Sequence, residues 1–530
     1  MRWSPVVLAV AAAAGGASGA PAQGAPSRAW RPEERLLVTD LSRVTAVAVT
    51  QAYVFAATRE ALAVYGRAFG ELREVVGRGE GYPGGPVAAM VADPSDDTAW
   101  LAGLGFWAAY HPFGRRWDAG PLPGLADLVA LDAADPARGA YFRTAAGWYF
   151  VAKNGAFAER ALALPAAGSR IAPLGQRDLL AQAPGLDAVR MSIERDEQLR
   201  VTPMTAAAVS AVRGEAYVGT DGNGVFRVDL ASYRAERLSA GLLGAATGAV
   251  AVDRDRVCAA ADPRAGAARR GVTCFRSDLS DFTYLAGEGL AGLPGTRVRR
   301  MALTRRAAWV ATDAGALRLP RGGGRERRYL ERDGIPSGDV RAFAPAPDGM
   351  WIGTAHGLAV ATEGGSAEPA QPVGPADLEV LSLAVTDDTL WIGTPGGLAV
   401  LMPGSENPLI VRPDLPALRS PVLAIAVKGD TILAALDRRL ALRAGGVWRL
   451  VEPPGTPIGR FTAAAADADG FWLGGEQGLA FYRPATGEWR ALTSAGDLPL
   501  PVADVAAGGE YVWVATPGGV VRFQRRVLMP

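Results

Sequence analysis

Side chains that commonly hold metals or carry acyl groups are scarce in this chain of 530 residues, which has two histidines and two cysteines. His111 follows Tyr110 at a strand end, and His356 sits in a hairpin turn where sibling segments carry Gly396 or Gln477. Two histidines cannot build a histidine-rich zinc or copper centre unless carboxylates supply most ligands. Asp221-Gly-Asn-Gly224 has the opening of a calcium loop but lacks the later bidentate Glu, and it occupies an ordinary hairpin position. No Gly-rich phosphate loop, nucleophile elbow or Cys-x-x-Cys is present. The expectation is a chain without catalytic residues, metal or cofactor. Cys258 and Cys274 flank the hairpin tip Asp262 to Gly271. With Gly266 at the centre they fall opposite each other, so a disulfide is expected, provided the compartment is oxidising.

The N-terminus supplies that compartment. Arg2, the apolar run Val6 to Ala14 and the small residues through Ala20-Pro-Ala22 follow the order of a secretory signal. Residues 1–22 are read as the signal, with cleavage after Ala22, and 23–33 as a flexible segment. The apolar run is too short to span a bilayer, and no membrane insertion is expected. Net charge is +1, with 55 basic against 54 acidic residues, so no general attraction to nucleic acid or an anionic membrane is written in. Lys153 and Lys428 are the only lysines. The arginine cluster from Arg321 to Arg328 is read as a solvated outer strand rather than an anion site.

The elements that position these residues come from a repeat. Trp351-Ile-Gly-Thr-Ala-His-Gly-Leu358 returns as Trp391-Ile-Gly-Thr-Pro-Gly-Gly-Leu398, and related copies start at Trp309, Trp472 and Trp513. Aligned on the second strand, anchors fall at Phe55, Trp100, Tyr141, Leu179, Tyr217, Val257, Trp309, Trp351, Trp391, Leu433, Trp472 and Trp513. Small apolar stretches recur upstream, as in Val44 to Val49, Val340 to Phe343 and Val422 to Val427, and small side chains suit a strand lining a crowded ring centre. A period near forty, with Gly- and Pro-rich turns, predicts an all-β chain of about twelve four-stranded β-propeller blades. The anchor aromatic is expected to pack between neighbouring sheets.

These Trp-Ile-Gly-Thr-x-x-Gly-Leu units, with phrases such as Asp333-Gly-Ile-Pro-Ser-Gly-Asp-Val340, resemble the two-component regulator propeller repeats of periplasmic sensors. The resemblance is clean from Trp309 onward and faint around Tyr141 and Leu179. It implies four-stranded blades, often standing before a transmembrane helix and a histidine kinase. With no such segment before Pro530, it implies an exported propeller rather than a kinase.

Twelve units exceed the usual four to eight of one ring, so two rings are expected, six plus six, as 34–295 and 296–530. The join is placed near Leu290 to Arg297; five plus seven, or one large ring, are the alternatives. Arg35-Leu-Leu-Val38 precedes the first unit with no blade of its own and is expected to complete the last blade. Ligand-facing residues are sought on the hairpins that follow the anchors: Arg59, Glu60, Asp221 and Asn223 in the first ring; Asp313, His356, Asp437, Arg438, Glu476 and Gln477 in the second. Three functions compete. The first is a non-catalytic exported module, periplasmic or extracellular, that binds an envelope protein or glycan. The second is the sensing part of a two-component system whose kinase is a separate chain, and the third is a propeller lyase or hydrolase.

Overall fold

In the computed structural model, the residues described are 30–31, 33–132, 138–165, 170–172, 185–196, 199–210, 213–239, 241–262, 271–285, 297–322, 324–362, 371–373, 378–387, 389–402, 409–410, 415–455 and 458–529. The signal segment, the Leu179 anchor and most of the expected join lie outside them. Among the described residues the chain is built of antiparallel sheets: nine of four strands and one of seven. The seven-stranded sheet serves as two blades. Ala99–His111 pairs first with Val87–Ala92 and then with the start of Arg116–Leu131, whose far end pairs with Gly139–Thr144.

The repeated Thr-x-x-Gly explains the tight turn after each anchor strand. The Thr312 hydroxyl donates to the Gly315 carbonyl at 2.7 Å and accepts from the Ala314 amide at 3.2 Å. The Thr394 and Thr516 hydroxyls donate in the same way to Gly397 and Gly519. A short polar side chain thus closes the hairpin locally. The closing glycine has φ near +130°, as at Gly397 (127°) and Gly519 (138°), where a side chain would be strained.

The anchors pack as their spacing predicts. Trp100, Trp309, Trp472 and Trp513 are buried. Trp309 reaches Phe343 of the following blade at 6.0 Å, and Trp513 meets Phe275 at 5.6 Å. Burying each such ring stabilises by roughly 2 to 3 kcal/mol.

Inner strands trace two groupings. The sheet of 247–285 packs on that of 298–329, then come those starting at Val340, Ser382, Ala424, Phe461 and Asp504, and the last packs back on the first. Seven blades therefore close a ring. Arg35–Val38 pairs with Gly519–Gln524 and supplies the fourth strand of the seventh blade. The join accordingly lies before Thr247, not at Leu290 to Arg297, and the division is not six plus six. Sequence spacing runs evenly across the boundary, so only the packing partners of 247–285 reveal it.

The other grouping is an arc. The sheet of 204–237 packs on that of 44–77, followed by the two blades within 87–160. On the outer face of the 204–237 sheet, where another blade was expected, lies the helix Gly185–Ile193, which buries Leu186, Val189 and Ile193 against Val218, Phe226 and Val228. Eleven blades, not twelve, are therefore formed among the described residues. A single core joins the two groupings: Tyr65 and Tyr217 of the arc share it with Val257, Phe275 and Trp513 of the ring.

Candidate functional site

The expected hairpin residues disperse in the first grouping. Arg59 and Glu60 are exposed, with Glu60 3.9 Å from Arg78. Asp221 is exposed opposite Arg43 at 3.9 Å. Asn223 is buried, donating to the carbonyl of Arg195 and accepting from Arg237, so it serves the fold and not a ligand face. Its oxygen is already held by a guanidinium, which removes the reason to place calcium there.

The ring of seven has a site of its own. A cavity of about 660 Å³ opens where its inner strands begin, walled by Arg297, Arg299, Arg300, Arg341 and Arg460, with Asp262 and Glu476 as the acidic lining residues. Leu381, Leu423, Phe461 and Pro501 supply apolar wall. Local backbone geometry places two of these arginines. The pairing register slips between Val298 and Arg300, and between Val340 and Ala342, so Arg299 and Arg341 stand at β-bulges. A bulge re-aims the extra side chain, here into the mouth of the ring.

Carboxylates then hold the arginines in place. Arg299 donates through Nε to Asp339 Oδ1 at 2.7 Å, and Arg341 through Nε to Asp339 Oδ2 at 3.0 Å and onward to Glu379. This alternating chain ties three consecutive blades. Burial lowers the pKa of the Arg341 guanidinium, but its bonds to Glu379 and Asp339 outweigh that and hold it above the ordinary arginine value. Arg460 pairs with Asp437 at 3.3 Å.

Arg300 closes the floor. From the second blade it reaches the Thr462 carbonyl of the sixth and the Ala503 carbonyl leading into the seventh, and lies 3.5 Å from Asp504. Below it a further cavity of about 350 Å³ runs down the ring axis, also bounded by Arg300 and Asp504. The Arg300 guanidinium thus lies between mouth and shaft. Asp504 accepts the amides of Val250 and Val505. Burial pushes its carboxyl above the usual range, while Arg300 and those amides pull it partly back.

Of the second set of expected residues, Glu476 lines the mouth, while Asp437 and Asp313 touch its arginines, Asp313 by accepting the Arg297 amide at 2.8 Å. Arg438, Gln477 and His356 are exposed and do not line it. The arginines themselves were missed. Their signal was present: a charged residue just inside an otherwise small, apolar inner strand, at Arg299 and again at Arg341. The cluster after Arg321 also departs from a wholly solvated strand, since Arg321 donates to Asp253 of the preceding blade at 2.7 Å.

His111 sits between Thr98 Oγ1 at 3.1 Å and Asp118 Oδ2 at 2.9 Å, the order of a hydrolytic triad. Thr98 is fully buried, so no acyl group reaches its hydroxyl. Among the described residues no group of three or more His, Cys, Asp and Glu is arranged to hold a metal, and no helix is long and apolar enough to cross a membrane. Cys258 and Cys274 stand directly opposite on paired strands and form a disulfide.

No family model and no curated protein matches the chain. Solved structures do. PorZ of Porphyromonas gingivalis, described as an essential bacterial surface component of the type-IX secretion system, aligns over 92% of this chain and 87% of its own at 13% identity, with a TM-score of 0.53. The extracellular domain of the putative hybrid two-component system BT4673 of B. thetaiotaomicron aligns over 91% and 70% at 11% identity, TM-score 0.43. Virginiamycin B lyase of Staphylococcus aureus aligns over 52% and 94% at 13% identity, TM-score 0.42. The likeness to PorZ is one of fold: the chain is an all-β protein of double-propeller type.

Proposed function

We propose that this protein is an exported, non-catalytic binding module that engages an envelope protein or glycan through the mouth of its seven-bladed ring. The observation that carries the reading is the cavity itself, lined by five arginines, of which Arg299 and Arg341 stand at bulges and are hydrogen-bonded to Asp339. Preorganised guanidinium groups bind anions with little entropy left to lose. Export is supported by the signal-like N-terminus and by the Cys258–Cys274 disulfide, a bond favoured in oxidising compartments. An envelope role is in keeping with PorZ being a bacterial surface component. The test is affinity capture from the native cell envelope with the tagged mature protein. A reproducible protein or glycan partner supports the reading, whereas specific retention of nothing above a control propeller overturns it.

A further inference from the structure

The cavity has chemistry specific enough to name the kind of group it takes. We infer that the mouth of the seven-bladed ring captures the C-terminal end of a polypeptide, reading the terminal carboxylate with arginines and an apolar last side chain with the adjoining wall; this rests on the binding-module reading above. Three observations lead there. Arg300 reaches from the second blade beneath the cavity to the Thr462 carbonyl of the sixth and the Ala503 carbonyl leading into the seventh, which narrows the way down to the shaft and favours entry of a chain by its end. Arg299 and Arg460 line the cavity; Arg299 is hydrogen-bonded through Nε to Asp339, and Arg460 lies in an exposed ion pair through Nε 3.3 Å from Asp437, which leaves the terminal nitrogens of both to take a carboxylate. Leu381, Leu423, Phe461 and Pro501 add an apolar wall to the same cavity.

The same lining argues against a sugar end. Among the described residues lining the cavity none is Trp, Tyr, Asn or Gln, and the one aromatic, Phe461, is buried, so they offer neither an open stacking platform nor planar amides for hydroxyl groups. A free chain end offers a carboxylate to the arginines and an apolar side chain to the wall, a known mode of peptide capture.

The test uses a short fluorescent peptide ending in leucine, once with a free carboxylate and once with a C-terminal amide, titrated with the mature protein by anisotropy. The free acid is expected to bind saturably, the amide about tenfold or more weakly, as loss of a charge-assisted contact implies. Arg299→Gln and Arg460→Gln, checked for unchanged thermal unfolding, should each weaken the free acid and not the amide. Equal binding of acid and amide, or no binding of the acid, overturns the inference, and so does binding that both variants leave undiminished. If the envelope partner is still captured in any of these cases, only the chain-end proposal falls and the binding-module reading stands.

Discussion

Arg300 and Asp504 show how one buried pair serves shape and stability together. Asp504 joins the seventh blade to the first through the Val250 amide, and Arg300 lies between mouth and shaft. A carboxyl whose pKa is raised on folding binds its proton more tightly in the native than in the unfolded state. Its contribution therefore falls as pH rises from the ordinary carboxylate range through the raised value. Thermal unfolding of Asp504→Asn is expected to lose stability less steeply than wild type from about pH 4 to neutrality; an identical slope would assign the effect elsewhere. Adjacent glycines give a second comparison. A Cβ on Gly397 would lie 2.3 Å from the Leu418 carbonyl, whereas one on Gly396 meets nothing closer than 3.8 Å. Gly397→Ala should cost about 1 to 3 kcal/mol in denaturant unfolding and Gly396→Ala about 0.5 kcal/mol or less. At this scale the sequence was partly legible: the Thr-x-x-Gly turn is local chemistry and can be read directly. The arginine mouth could not be assembled so: Arg297, Arg299 and Arg300 are neighbours in sequence, but Arg341 and Arg460 come from other blades, and only the closure of the ring brings them together.

Among the elements, the hairpin carrying Cys258 and Cys274 and the strand Arg35–Val38 each close something. The disulfide links residues 16 apart, for which loop-closure entropy gives about 3 kcal/mol. Reduction, or Cys258→Ala with Cys274→Ala, should lower the unfolding temperature, and mass spectrometry without reductant should find no free thiol in the native protein. Arg35–Val38 is buried along its length and covers the edge of the seventh blade. Removing the chain up to Val38 should lower thermal stability and promote association visible by light scattering, since an unpaired edge is a template for another strand. Unchanged stability of that truncation would mean that the ring does not depend on its N-terminal strand. The strand without a blade was legible because the repeat left it over. The helix Gly185–Ile193 was not, because the repeat fades there and an imposed period reads a blade into it.

At the scale of the whole molecule, one buried core spans both groupings. Tyr65, Tyr217, Phe275 and Trp513 share a buried cluster, and Arg35 bonds both to Glu80 of the arc and to the Asp497 carbonyl of the ring. Burial lowers the Arg35 guanidinium to about 10 while Asp497 draws it back upward. The fold class was legible from the repeat, but the division into rings was not. Spacing records the blade repeat, one unit too many where the helix Gly185–Ile193 stands, and only side-chain packing decides which blade closes on which. The mouth of the ring is the surface on which the functional reading depends. The decisive measurement is capture from the native envelope with wild type and with the Arg299→Gln, Arg460→Gln double variant, both shown to unfold at the same temperature. A partner retained by wild type and lost by the variant is the expected result. A partner retained equally by both would place binding elsewhere on the molecule and contradict the assignment of the mouth.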